Sequence, residues 1–516
     1  VTQEIEIISD GEPVVLPKGP RRGDMLTITV QRLDEKGTGI ATFPAKIGPQ
    51  QMPRTYKATV RKAIPGDRVR LFIEKSRKKE LTCRVDELLE PSKDRIEPRC
   101  QHFGWREEAG KGCGGCSLQA MNYEDQLAFK RDSIKCLFEK SGLDASLVLD
   151  PIGVESPWYY RNKMEFSFGD NPQHEFALGF HPLGYRHDVL SLQECHLQSE
   201  FTSAFLPAYS AVVKDLGIPI FSMRTGEGFL KNLVLREGKR TGEHLVEVVT
   251  SSLDQATLRG TQVEAREAAE ALCECAKEVA KSLGVEWDSI YWTRHHVKAG
   301  ERTTFTPILI EGKPTLTEQM HLPGGHKLSF EVHPRAFFQP NTLQAERIYA
   351  QVLAYTGLTS DSEEAPSVVL DLYCGTGTIG LCMAPYAGKV VGVELNGDAI
   401  DNAKQNAENN AIENAAFFVG DVGEVMASDE FRAEVGEEVE LVVVDPPRAG
   451  LFPAAIDQIS ALSPARLVYV SCNPKSLARD LAMLVERGYE IKEVQPLDMF
   501  PQTYHVENVA LLDRVR

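Results

Sequence analysis

The chain has no run of about 18 consecutive apolar residues, so no segment reads as a membrane-spanning helix. Its first residues, Val1–Glu12, show neither the apolar core of a secretory signal nor an Arg/Ser-rich transit pattern. A cytoplasmic location is expected, or an organellar one if a transit segment preceded Val1. No internal repeat and no low-complexity tract occurs. The eleven cysteines are odd in number and lack the rhythm of a secreted disulfide scaffold. A chain of 516 residues needs no such staples, so the thiols read as packing, metal ligands or catalysis. Neither a membrane partner nor a protein partner is implied, and a monomer is expected.

Length predicts about three domains at roughly 150 residues each. The net charge of −17 argues against nucleic acid on average, but an average hides patches. Between Arg54 and Arg84 there are eleven Lys/Arg against three acids, Asp67, Glu74 and Glu80. Residues 23–90 carry alternating apolar runs (Met25–Val30, Tyr56–Val60, Val69–Ile73) separated by Gly-rich turns. That pattern predicts a small all-β barrel of the OB type, its last strands basic enough for structured RNA. Residues 91–335 mix short strands with helical periods over 122–141 and 262–283, an α+β central domain. From 336 to 516, apolar strands alternate with helices, which predicts a doubly wound Rossmann-like α/β domain.

The segment Val368-Val-Leu-Asp-Leu-Tyr-Cys-Gly-Thr-Gly-Thr-Ile-Gly380 is a buried strand entering a Gly-rich turn and a helix. Such a turn lets backbone approach a ligand at a strand's carboxyl end. Acidic Asp371 suits a cationic amino-acid moiety and repels pyrophosphate, which favours S-adenosylmethionine over a nicotinamide dinucleotide, the runner-up. Glu394 ends the next strand, where a carboxylate can take ribose hydroxyls, and Asp421 follows the third, near an adenine edge.

Strand four ends in Asp445-Pro-Pro-Arg448. Arg448 stands where amino-group methyltransferases place a stacking aromatic, and no cysteine flanks the motif as it does in many RNA cytosine-5 enzymes. A thiol comes one strand later: Cys472, in Ser471-Cys-Asn-Pro474, ends strand five at the same crevice. A lone cysteine is usually inert packing; a strand-end position before a turn opposes that reading. His505 and Glu507 precede the last strand, two apart, and share one face if the strand has begun there. Cys472 as nucleophile and Glu507 as general base would suit methylation of carbon 5 of uracil.

With these residues in place the chain resembles the RNA uracil-5-methyltransferases that carry an N-terminal TRAM domain. The resemblance spans residues 23–516 and rests on Asp371–Gly377, Asp445–Arg448, Ser471–Pro474 and His505–Glu507. It implies a class I methyltransferase domain, Cys472 as nucleophile and Glu507 as proton acceptor. It implies cofactor contacts at Gln339, Tyr373, Glu394 and Asp445, with Thr378 where relatives can carry Asn. It also implies a [4Fe-4S] cluster on Cys100, Cys113, Cys116 and Cys195. Here twelve residues separate the first two of these cysteines, where relatives commonly have five, and four thiolates also suit zinc. The implied substrate is ribosomal RNA, with transfer RNA second. The rival readings are methylation of another base or of protein, and an RNA-binding or chaperone protein with a degenerate catalytic domain. Retention of both Cys472 and Glu507 opposes the last.

Overall fold

The computed structural model describes every residue except 1–2, 8–10, 106–107, 109, 172, 298–299, 359–367, 437–438 and 516. It divides into two compact units. The first is Val1–Ser133 with Asp170–Glu194 and Pro501–Tyr504; the second is Ile134–Gly169, Cys195–Phe500 and His505–Arg516. Among the described residues no helix is long and apolar enough to cross a membrane.

The first unit is β-rich. Eight strands between Glu4 and Glu90 form one sheet, the longest being Gly39–Ile47, Met52–Val60, Arg68–Arg77 and Glu80–Glu90. The alternation legible in the sequence is the burial pattern itself: Val69, Leu71 and Ile73 are buried, whereas Arg70 is exposed. Period-two side chains can do this only in an extended chain with one face covered. The apolar set Leu26, Ile28, Phe43, Ala58, Val69 and Leu71 makes one core. The turn after Ile64 is pinned by Asp67, which is fully buried. Its carboxylate accepts from the Ile64 and Ser92 amides at 2.8 and 3.0 Å and from Arg95 at 2.7 and 2.9 Å.

In the second unit, five strands pair in the order Lys163–Asn171, Leu230–Glu237, His244–Ser251, Ser289–His296, Thr304–Gly312. The predicted Ala/Glu-rich helix is Ala265–Ser282; it buries Ala268, Ala269, Leu272, Cys273 and Ala276 on one face. Cys273 is therefore core.

The carboxyl-terminal part of this unit is a seven-stranded sheet. Its strands are β1 (Val369–Leu372), β2 (Val390–Glu394), β3 (Ala415–Val419), β4 (Leu441–Val444), β5 (Arg466–Ser471), β6 (Tyr489–Leu497) and β7 (Glu507–Arg514), in the order β3-β2-β1-β4-β5-β7-β6. Order reverses between β1 and β4, a switch point that opens a crevice at the strand ends. The sheet is not wholly parallel: β7 pairs antiparallel with both β5 and β6. Strand β6 alternates polar and apolar only at its start (Tyr489-Glu-Ile-Lys-Glu) and then turns apolar, which hid it from a reading by period. Strand β7 begins at Glu507, so His505 lies before it and shares no strand face with Glu507.

Replacing Asp67 by Ala would strand a partly buried guanidinium and two amide donors. We expect a loss of about 3–5 kcal/mol in the first unit, read by hydrogen exchange over residues 25–90 under urea. A loss below about 1 kcal/mol would show that the pair is incidental.

Candidate active site

The turn after β1 is built from beneath. Asp371 is fully buried; one carboxylate oxygen accepts from the Gly380 amide at 2.7 Å and the other is buried without a partner. Burial pushes this carboxyl up to about 8, with Gly380 opposing and Asp445 and Glu394 adding repulsion. Asp371 therefore braces the turn from below, a different placement from the ligand-facing one its charge suggested. Tyr373 takes the left-handed conformation at φ 65°, rare for a side chain of that size, and its amide donates to Val393 at 2.9 Å. Strain of this kind persists where the surroundings over-determine it.

Glu394 closes the turn from the neighbouring strand. Its two oxygens accept from the Gly375 amide at 3.2 Å and the Asn396 amide at 2.9 Å. A Cβ placed on Gly375 would meet nothing within 4 Å, so the space over the turn is open. Leu395 and Val419, 71% and 54% exposed, flank Glu394 with apolar surface. Period reasoning passed over both, although an exposed large apolar residue at a strand end is itself a signal. Asp421 follows β3 and caps the helix Val422–Met426, accepting from the Gly423 amide at 2.9 Å. Thr378 opens the helix after the turn, its hydroxyl 3.4 Å from that of Thr376 and hydrogen-bonded to Tyr349. Gln339 is half-buried, with its carbonyl accepting from Asn162 at 2.7 Å. An open glycine turn, a carboxylate beside it and bare apolar flanks suit an adenosyl ligand with a polar amino-acid end.

At the switch point, Asp445 follows β4, its amide donating to Leu372 at 3.2 Å. Burial pushes its carboxyl up to about 7. In the antiparallel pair of β5 and β7, Ser471 faces Asn508, and Asn508 donates to the Ser471 carbonyl at 3.3 Å. Continued by one residue, that register sets Cys472 across from Glu507. The sequence alone separated these two by 35 positions; the ladder brings them together.

Arg448 stands among them. Its guanidinium reaches His505 Nδ1 at 2.9 Å and lies close enough to Cys472 to favour the thiolate. Burial raises Cys472 to about 11, helped by the charges of Glu507 and Asp445, with Arg448 pulling the other way. Glu507, 7% exposed, is pushed up to about 8 by burial and by Asp445, again against Arg448. One cation thus serves a thiol and a carboxyl. Its sequence signal was the basic residue ending Asp-Pro-Pro-Arg, read there only as a missing aromatic.

The loop bearing Arg448 is clamped to the helix Pro474–Glu486. Asn473 and Ser476 donate to the Arg448 carbonyl at 2.8 and 3.2 Å, and Arg479 donates to Ala449 at 2.8 Å. Asp480, fully buried, accepts from the Leu451 amide and the Tyr469 hydroxyl, both at 2.7 Å. Gly450 sits against it with φ 79°, and a Cβ there would come within 2.3 Å of the Asp480 carboxylate. Only glycine fits that turn.

The four cysteines expected to hold a metal are placed differently. Cys100, Cys113 and Cys116 lie in the first unit, near the buried ammonium of Lys62, which donates to the Gly104 and Cys113 carbonyls at 2.9 and 2.7 Å. Cys195 belongs to the second unit. Among the described residues no group of three or more His, Cys, Asp or Glu side chains is arranged to hold a metal ion.

Comparison with known proteins agrees with this sheet and crevice. The sequence model of the tRNA (uracil-5-)-methyltransferase family matches residues 294–515. An uncharacterised RNA methyltransferase of Caldanaerobacter subterraneus subsp. tengcongensis is 35% identical over 505 residues, covering 96% of this chain and 99% of its own. Another, from Protochlamydia amoebophila, is 36% identical over 454 residues, covering 87% and 98%. The crystal structure of Pyrococcus abyssi tRNA (uracil-54, C5)-methyltransferase with S-adenosyl-L-homocysteine superposes with a TM-score of 0.65 at 27% identity, covering 94% of this chain and all of that one. The chain belongs to the S-adenosylmethionine-dependent RNA (uracil-5-)methyltransferase family.

Proposed function

We propose that the protein methylates carbon 5 of a uridine in RNA through a covalent adduct between Cys472 and carbon 6. The observation that carries this reading is the register of β5 and β7, which sets Cys472 across from Glu507, with the Arg448 charge acting on both. Carbon 5 of uracil is too electron-poor to attack unaided. A thiolate from Cys472 adds to carbon 6, and the electron pair moves toward the ring's O4, giving an enolate. Bound S-adenosylmethionine supplies an electrophilic methyl group. Carbon 5 would attack that methyl, with the neutral thioether S-adenosylhomocysteine as leaving group; Glu507 would take the carbon-5 proton, and elimination would break the bond between carbon 6 and sulfur to return Cys472. Arg448 steadies the thiolate. Tyr373, Thr378, Glu394, Asp421, Asp445 and Gln339 are proposed to hold the cofactor around the open turn.

The eight-stranded first unit is read as a TRAM barrel, and on that ground ribosomal RNA is the proposed substrate. Transfer RNA is the second reading, favoured by the Pyrococcus abyssi neighbour, which acts on tRNA uracil-54. Mapping 5-methyluridine in both RNA pools of a deletion strain separates them. The [4Fe-4S] cluster is a distinct proposal that rests on the cysteine pattern, and no catalytic step runs through it.

RNA containing 5-fluorouridine should trap wild-type protein as a covalent complex stable to denaturation, because fluorine cannot leave as a proton does. Cys472→Ala should form none. Glu507→Gln should cut turnover by about a hundredfold or more while still forming the adduct. An adduct with Cys472→Ala would refute the mechanism.

Glu507 must be ionised to accept a proton, so methylation should rise with pH through about 8. Arg448→Met removes the charge that lowers both Cys472 and Glu507, so the rising limb should move to higher pH. A profile unchanged by Arg448→Met would remove that residue from the chemistry.

Protein isolated without oxygen should contain about four irons and four sulfides per chain, with a broad band near ~400 nm that is lost in Cys113→Ala. Iron-free protein, or zinc in its place, would refute the cluster.

A further inference from the structure

One face of the five strands from Lys163–Asn171 to Thr304–Gly312 collects cations that the site above does not use. Lys163 pairs in register with Arg236, and Val234 beside it faces both Glu165 and Glu247. Glu247 faces Tyr291, so Thr293 and His295 share its side, and His295 faces Phe305. Lys163, Arg236, Glu247, Thr293, His295 and Phe305 therefore line one face. Over it lies Arg335, 3.4 Å from Glu247 and 3.9 Å from the centre of the Phe305 ring, while His295 stacks on Phe305 at 4.1 Å.

The charges on this face do not balance. Lys163 is half-buried and has no hydrogen-bond acceptor or ion-pair partner among the described residues. Lys231, at the bulge of the next strand, rests on the Phe221 ring at 4.1 Å. Arg236 spends its donors on the Pro334 and Ala336 carbonyls. Three polar atoms, Glu247 Oε1, Thr293 Oγ1 and His295 Nδ1, are buried without partners. Burial lowers Lys163 to about 8, and the neighbouring Arg236 and Arg335 add to that fall against the pull of Glu165 and Glu247. His295 falls to about 4, by burial first and then by Lys231 and Arg335. An anion set among these groups would offset the unpaired Lys163 and Lys231 charges and could accept from the Thr293 hydroxyl.

The face is also tied to the methyl-transfer crevice. Arg335 and Gln339 belong to one segment, residues 333–341, which Arg236 holds at Pro334 and Asn162 holds at Gln339. We propose that this sheet face binds the RNA strand flanking the methylated nucleotide. Lys163 and Lys231 take backbone phosphates, and the outer side of Arg335, backed by Phe305 and His295, stacks one unpaired base. The proposal rests on the reading of the Cys472 crevice as the RNA-methylating site.

The test uses the full chain and a fluorescent 12-mer of oligouridine. In Lys163→Met/Lys231→Met, the slope of log affinity against log salt should shrink by about one to two. Arg335→Met should weaken the 12-mer about tenfold, and Arg335→Lys should restore the salt slope without restoring affinity. With RNA from a deletion strain, KM should rise while kcat and S-adenosylmethionine affinity stay within about twofold of wild type. An unchanged slope in the double variant, or wild-type affinity in Arg335→Met, would overturn the proposal. If the double variant melts below wild type, Lys231→Met alone decides, by the same slope. Failure of the Cys472 reading looks different: wild type would give no 5-fluorouridine adduct, yet the slope would still respond to the lysines.

Discussion

Arg448 is shared. A thiol, a carboxyl and an imidazole meet at one guanidinium, which favours the charged forms of the first two. In a partly buried place a charge without an opposite is expensive, so Cys472, Glu507 and Asp445 all sit above their ordinary proton affinities. Without Arg448, Cys472 and Glu507 would be held more firmly protonated still. In the proposed reaction a nucleophile and a base that are both neutral could do nothing to a pyrimidine. The cation keeps both within reach of ionisation, and bound sulfonium would add a second positive charge.

That arrangement depends in turn on a clamp that touches none of the proposed chemistry. Asp480 is buried beneath the loop, where it satisfies Leu451 and Tyr469, and it leaves room only for glycine at position 450. Asn473 and Ser476, immediately after the cysteine, hold the Arg448 carbonyl. The stretch that carries the thiol therefore positions the cation as well. Asp371 does similar work under the glycine turn of β1, fixing the first turn of its helix through Gly380. In both places a buried carboxylate that accepts from a backbone amide ties a loop to the structure beneath it.

The two units solve different problems with one chain. The first is a sheet whose basic exterior was evident as an excess of eight positive charges between Arg54 and Arg84. The second carries a cation-rich sheet face beside the segment that leads to Gln339. A protein with a net charge of −17 can engage a polyanion only through such local concentrations.

The sequence by itself determined the strand–helix alternation of the carboxyl-terminal sheet, because fully buried strands are apolar runs and their helices keep a 3.6-residue period. It also determined which residues have reactive chemistry, since Cys472, Glu507 and the turn from Asp371 to Gly377 are local patterns. The tertiary structure alone decided their meeting. Only the antiparallel return of β7 against β5 sets Glu507 across from Cys472, and only the clamp on Gly450 swings Arg448 between them. It also returned residues 170–194 and 501–504 to the first unit. Pairing register and contacts between distant segments are set by packing across the whole chain, and no local period in the sequence records them.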